Sequence, residues 1–346
     1  MIDYNINQPD SEIKKALQHK IDLKTKPLGA LGVLEDIAFK IGTIQQSLSL
    51  TISKPTIVVF AGDHGIATKG EVNPFPQEVT SQMVYNFVNG GAAINVFSNT
   101  NNLDLKIVDA GVNHNFAPDL NIINAKIAFG TKNYQDEPAM SLEQCNDALK
   151  KGAAIVSDIH KNGCNTIGFG EMGISNTSSA SLLMAHFTNT NIESCVGSGT
   201  GLDTNGISKK VQILTEVFNN YQPKNPIEAL ATFGGFEIVM MCGAMLKAAE
   251  LKMTIISDGF IVTSALLAAQ AINKNVLDYV LFSHNSNEQG HVKMLDFLKV
   301  KPLLNLGLRL GEGTGAALAI PLIQASVNFL NQMASFESAG ISNEAE

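Results

Sequence analysis

Short, β-branched apolar runs recur along the chain. Each is followed by glycines mixed with an acid or a hydroxyl, and then by a stretch with helical spacing. The runs are Thr56–Ala61 before Gly62-Asp63-His64-Gly65, Leu105–Val108 before Asp109-Ala110-Gly111, and Thr166–Phe169 before Gly170-Glu171-Met172-Gly173. Cys195-Val196 before Gly197-Ser198-Gly199-Thr200-Gly201, Thr254–Ile256 before Ser257-Asp258-Gly259, and Tyr279–Phe282 before Ser283-His284 complete the set. Strands that are apolar throughout, rather than alternating, are buried on both faces, as in a parallel sheet whose crossovers are helices. In such sheets ligands gather beyond the carboxyl ends of the strands, where these polar loops fall.

The intervening helices have readable ends. Ser141-Leu142-Glu143-Gln144 is a capping box that opens a helix reaching about Lys161. Gln77–Phe97 carries helically spaced apolar residues but is interrupted at Gly90-Gly91. Ile207–Phe218 is a further helix, and Ala316–Phe336 a long terminal one that tolerates Pro321 in its first turns. Residues 11–50 read as helix, turn, helix, without a strand. The pattern predicts a large α/β domain over 53–300, a small helical domain built from 1–52 and 301–336, and a disordered polar tail over 337–346.

Composition narrows the function. The chain has 346 residues, 45% of them hydrophobic and 16% charged, with a net charge of -8 and a pI near 5.4. An acidic chain lacks the broad basic face that nucleic acid requires, so an anionic substrate must be held by backbone amides, helix starts or single cations. Cys145, Cys164, Cys195 and Cys242 form no C-x-x-C pattern and no secretory leader is evident, which together predict reduced thiols in a cytoplasmic protein. Apolar stretches such as Ile238–Leu246 are too short to span a bilayer, so no membrane partner is expected. Of the 24 Lys and Arg residues only Arg309 is an arginine. It is either a forked carboxylate binder, which lysine cannot imitate, or a solvated side chain.

Three loops carry candidate chemistry. In Gly168–Ser179, glycines run into Ser175-Asn176-Thr177-Ser178 at a helix start, a combination that presents amides and hydroxyls to a phosphate but also makes an ordinary capped turn. Gly197–Gly201 is a second glycine cradle, with Lys209 and Lys210 on the following helix. It matches neither the dinucleotide fingerprint nor the triphosphate loop. In Leu308–Gly315, Glu312 stands between glycines with Arg309 three residues before it. It is either a ligand-facing acid or a first-turn acid that complements a helix dipole. The seven histidines show no metal-ligand spacing, so Asp63-His64, His284 and His291 read as buried or capping residues, and no metal or cofactor is expected.

Read together, the loops resemble one family. Lys24–Gly32, Phe60–Gly65, Pro76–Thr80, Gly170–Thr177, Gly197–Asp203, Gly234–Glu237, Ser257–Phe260 and Arg309–Gly315 are similar, in order, to the nicotinate-nucleotide:dimethylbenzimidazole phosphoribosyltransferases of cobalamin synthesis. The resemblance implies a doubly wound, Rossmann-like parallel sheet with a small helical domain, working as a homodimer on small molecules. It implies that Glu312 is the catalytic base and Glu171 the acid beside the reacting groups. It places Gly173, Ser175, Asn176, Thr177, Ser178, Gly199, Lys210, Asp258, Ser286, Arg309 and Gly313 around the phosphoribosyl group and nicotinate. Phe75, Met83 and Met172 would line a deformable slot for a flat base, tolerant of several benzimidazoles. The chain departs from the family's usual pattern at Ala30, at Ser198, where arginine is common, and at Ser175–Ser178.

The implied chemistry is economical. A pyridinium leaves as a neutral ring nitrogen and needs no general acid, whereas an attacking benzimidazole must shed its N–H proton, so one carboxylate base suffices. Glu171 would stabilise an oxocarbenium-like ribose. Burial against the base should raise the pKa of Glu312, and a helix start should oppose it. Two other readings stay open on sequence: a nucleosidase or phosphorylase that cleaves the same N-glycosidic bond, and a non-catalytic sensor of the same fold.

Overall fold

The structure is a computed structural model that describes residues 4–199 and 201–342. Six strands form one parallel sheet: β1 (Thr56–Gly62), β2 (Asp104–Gly111), β3 (Ile123–Asn124), β4 (Thr166–Met172), β5 (Thr254–Ser257) and β6 (Val280–Phe282). Their order is β3-β2-β1-β4-β5-β6. The chain therefore winds outward twice from the centre, as in a Rossmann-like fold, and the order reverses between β1 and β4, where ligand crevices form. β1 is buried at every residue, which explains why its sequence does not alternate.

Each face of the sheet is covered by its own apolar cluster. On one side Val58, Phe60 and Phe169 pack with the helices Leu142–Lys161, Phe236–Glu250 and Phe260–Ile272. On the other, Ile57, Val59 and Ile256 pack with Glu12–Asp22, Val33–Gln45 and Thr314–Gln332. The two chain ends also meet directly: Lys24 and Ser335 form an antiparallel bridge, and Leu50 N–H donates to Asn331 Oδ1 at 3.1 Å. The apolar residues of these end helices thus continue into the core beneath the sheet. No helix among the described residues is long and apolar enough to cross a membrane.

Several expectations change in detail. Cys195-Val196 forms no strand. Ile192–Cys195 is a short helix whose N-cap, Asn191, accepts from Ser194 N–H. The helical stretch Gln77–Phe97 breaks at its two glycines, as expected, into Val79–Val88 and Ala93–Thr100. The long terminal helix stops at Gln332. Residues 337–339, expected to be disordered, belong to a last turn of helix, Phe336–Ala339, capped by Ser335. Residues 343–346 of that predicted tail lie outside the described residues.

Candidate active site

The loops at the carboxyl ends of β1, β4, β5 and β6 converge with Gly311–Gly315. Glu171 lies near the end of β4, buried, and its Oε2 accepts a hydrogen bond from Asn176 Nδ2. Its other oxygen lies against Gly311, where a Cβ would collide with it. Burial, followed by the nearby carboxylates of Glu237, Asp258 and Glu312, lifts its pKa to about 8, and the Asn176 bond only partly opposes this.

Glu312 is also buried, at 4% exposure. Gly311, Glu312 and Gly313 all have left-handed backbones, with φ of 85°, 63° and 85°. A glutamate in that region is uncommon, and the glycines on either side allow the turn to fold tightly. The turn presses on β4 so closely that a side chain on Gly170 would run into the Glu312 backbone. Glu312 Oε2 accepts from Ile94 N–H at 3.2 Å, at the start of the helix Ala93–Thr100. Burial raises its pKa and Asp258 adds to the rise, while the Ile94 bond pulls it down. Burial wins, and the opposing helix start comes from residues 93–100 rather than from the helix that Glu312 itself precedes.

A cationic cradle lies beside this centre. Ser175 is the N-cap of the helix Asn176–Thr188, with φ of 77°, and its hydroxyl donates to Asn73 Oδ1. Thr177 Oγ1 accepts from Lys210 Nζ at 2.8 Å. A Cβ on Gly199 would lie 3.2 Å from Thr177 Oγ1 and 3.6 Å from Lys210 Nζ, so these three groups lie side by side. Lys210 is buried, which lowers its pKa to about 8, and the Glu288 carboxylate partly restores it. Arg309 makes no hydrogen bond or ion pair with Glu312; its Nη1 donates to Gly199 O at 2.8 Å and Ser198 Oγ at 3.2 Å. The lone guanidinium thus braces the cradle.

Asp258 and Ser286 lie behind the centre. Asp258 Oδ1 accepts from Ala316 N–H at 3.0 Å and sits 3.6 Å from His284 Nε2. Ser286 N–H donates to His291 Nδ1 at 2.9 Å, and His291 Nε2 lies 3.0 Å from Thr263 Oγ1. Burial and then His284 push the His291 pKa down to about 3. That fixes His291 as a neutral imidazole that accepts at Nδ1 and donates at Nε2. Met83 and Met172 pack against the same apolar cluster. Phe75 is 45% exposed, and its carbonyl accepts from Asn73 Nδ2.

Sequence reasoning did not connect His64 with Glu237. The two side chains are fully buried and 2.7 Å apart, across 173 positions of chain. The sequence signal was Gly234-Gly235 immediately before Phe236-Glu237, a pair of small residues that lets a charged side chain fold under the loop. Asp63 Oδ2 accepts from Asn113 N–H at 2.8 Å. Among the described residues no three His, Cys, Asp or Glu side chains group as metal ligands would.

Buried acids facing a hydroxyl, amide and ammonium cradle, at the switch point of a doubly wound sheet, suit transfer of a sugar phosphate. A sequence model of a phosphoribosyltransferase family matches residues 6–341. Relatives named nicotinate-nucleotide–dimethylbenzimidazole phosphoribosyltransferase include one from Aromatoleum aromaticum, 53% identical over 98% of this chain and 99% of its own. Another, from Dechloromonas aromatica, is 54% identical over 99% of this chain and 100% of its own. A crystal structure of CobT from Thermus thermophilus superposes with a TM-score of 0.92 at 36% identity, covering 96% of this chain and 100% of that one. The chain belongs to the nicotinate-nucleotide–dimethylbenzimidazole phosphoribosyltransferase family.

Proposed function

We propose that the protein transfers the 5-phosphoribosyl group of nicotinate mononucleotide to 5,6-dimethylbenzimidazole or a related base, releasing nicotinate and α-ribazole 5′-phosphate. The observation that carries this reading is the convergence of Glu171 and Glu312, through Asn176 and Gly311, on the turn that holds Thr177, whose hydroxyl accepts from Lys210. The phosphate sits against Gly173–Ser178, Gly199 and Lys210, with Arg309 holding the Gly199 carbonyl. Glu312 takes the N–H proton of the incoming base, and its raised pKa makes it a stronger base than an ordinary carboxylate. Attack from the face opposite the departing pyridine inverts the β-nucleotide to an α-riboside.

Glu171 plays a part different from that of a fixed anion. With a pKa of about 8 it carries a proton at neutral pH in the free enzyme. A pyridinium ring beside it favours ionisation, so the cationic substrate itself draws out the negative charge that stabilises the ribosyl cation. Met83, Met172 and Phe75 line the base slot, and Gly313, Asp258 and Ser286 border the phosphoribosyl group and nicotinate. The enzyme works in the cytoplasm as a homodimer, a reading supported by the exposed Leu306 and Leu310 beside the Glu312 turn. Residues 1–52 and 301–336 act as a helical unit against the 53–300 body, supported by the Lys24–Ser335 bridge.

Product analysis after mixing protein, nicotinate mononucleotide and dimethylbenzimidazole tests the reading. An α-riboside phosphate formed together with nicotinate is the expected result. Nicotinate released at the same rate without any base would make the protein a hydrolase, and ligand binding with no turnover would make it a sensor.

A further inference from the structure

His64 follows β1 and has no exposed surface. Its Nε2 lies 2.7 Å from Glu237 Oε1, and its Nδ1 lies 3.0 Å from Ser179 Oγ. Glu237 belongs to the helix Phe236–Glu250 and Ser179 to the helix Asn176–Thr188, so one imidazole joins the end of a central strand to two helices. The backbone closes around this strut. A Cβ on Gly62 would lie 2.7 Å from Glu237 Oε2, and one on Gly235 would strike both His64 and Glu237. On Gly173 it would strike the Gly62 carbonyl and come within 3.3 Å of the imidazole. The ring is therefore the floor on which the Gly173–Ser178 turn rests.

Stability alone does not account for such a cluster. Glu237 Oε2 is buried there without a hydrogen-bond partner among the described residues, and an unpartnered buried atom counts against folding. A buried polar pair of this kind is commonly replaceable by apolar side chains at no loss of stability. What apolar packing cannot supply is direction: two hydrogen bonds fix the angle of the ring, and the ring fixes the height of the turn.

We infer that His64, clamped between Glu237 and Ser179, is a positioning residue that sets the Gly173–Ser178 turn for the phosphoribosyl group. The inference rests on the proposed role of that turn. Because His64 is sealed from solvent, it acts only through the turn and never touches the substrate.

Ser179→Ala removes one oxygen from the strut and is the least disruptive probe. It should raise KM for nicotinate mononucleotide about tenfold, the scale expected when a distant change misplaces a binding group. KM for the base should stay within about twofold, because the base slot is not built on this strut. His64→Leu should do the same more strongly. Glu237→Gln, which keeps an acceptor at Oε1, should stay within about threefold of the unmodified enzyme. Thermal unfolding of each variant separates misplacement from loss of fold, and Ser179→Ala decides the question if His64→Leu does not fold. An unchanged KM for the nucleotide in Ser179→Ala, or equal rises for both substrates, would overturn the inference. Equilibrium binding of nicotinate mononucleotide to the same variants keeps the two readings apart. If the unmodified protein binds the nucleotide but forms no riboside, the proposed reaction fails, and weaker binding by Ser179→Ala still supports the strut. An unmodified protein that binds no nucleotide removes both.

Discussion

The carboxylate centre and the ammonium cradle lie side by side and are perturbed by the same force in opposite senses. Burial pushes Glu171 up to about 8 and Lys210 down to about 8. Desolvation opposes whichever form is charged, so an acid and a base in one dry crevice are driven toward the same pH. The difference lies in what each awaits. A phosphate dianion would restore the positive charge on Lys210, and a pyridinium would restore the negative charge on Glu171. A single nucleotide carrying both groups therefore completes the electrostatics of both halves of the site, whereas inorganic phosphate serves only one and free nicotinate, whose ring nitrogen is neutral, serves neither.

Removing the proposed proton acceptor while leaving the cradle intact separates the two halves most severely. Glu312→Gln should lower single-turnover riboside formation by about two to four orders of magnitude, the usual range for a general base, while nucleotide binding persists. A loss below about tenfold would remove Glu312 from the role. The cradle is tested by Lys210→Met. Losing a hydrogen bond from a charged group, worth about 1.5–3 kcal/mol, should weaken nucleotide binding about tenfold to a hundredfold. In the unmodified enzyme binding should also weaken as pH rises above about 8, where Lys210 loses its proton, and that slope should vanish in Lys210→Met.

Glu171→Gln tests the other half through stability. A carboxyl whose pKa rises from 4.5 to about 8 on folding contributes stability that is fully present below 4.5 and lost as pH climbs toward 8. Glutamine carries no such dependence. The unfolding temperature of Glu171→Gln, relative to the unmodified protein, should therefore climb between pH 5 and pH 8. A constant difference would mean that Glu171 is ionised throughout. The smallest effect belongs to Arg309→Gln. Its exposed guanidinium contributes two neutral-acceptor hydrogen bonds to the Ser198–Gly199 loop, so nucleotide KM should rise only about twofold to tenfold, with kcat unchanged.

How much of this was legible in the sequence depends on how local each feature is. Five of the six strands and both glycine loops could be read because their signals span fewer than a dozen residues. The strand expected at Cys195-Val196 failed because two apolar residues fit a short helix as well as a strand, and the Asn191 cap favours the helix. The edge strand at Ile123–Asn124 has only two residues, one of them exposed, and leaves no periodicity to read. Arg309 sits three positions from Glu312, yet the chain turns at the left-handed Gly311 between them and the guanidinium bonds the neighbouring loop. The His64–Glu237–Ser179 strut joins residues that only the closed sheet brings together. Motif reading recovers the loops gathered at the ends of the strands more readily than what supports them from below.

If one nucleotide recharges both halves of the crevice, its binding must move protons in opposite directions at the two sites. The proton count on binding nicotinate mononucleotide at pH 8, measured by calorimetry in buffers of different ionisation enthalpy, reads this without intermediaries. Glu171→Gln should take up about half a proton as Lys210 recharges, and Lys210→Met should release about half as Glu171 ionises. No exchange in either variant, or exchange of the same sign in both, would refute the coupling.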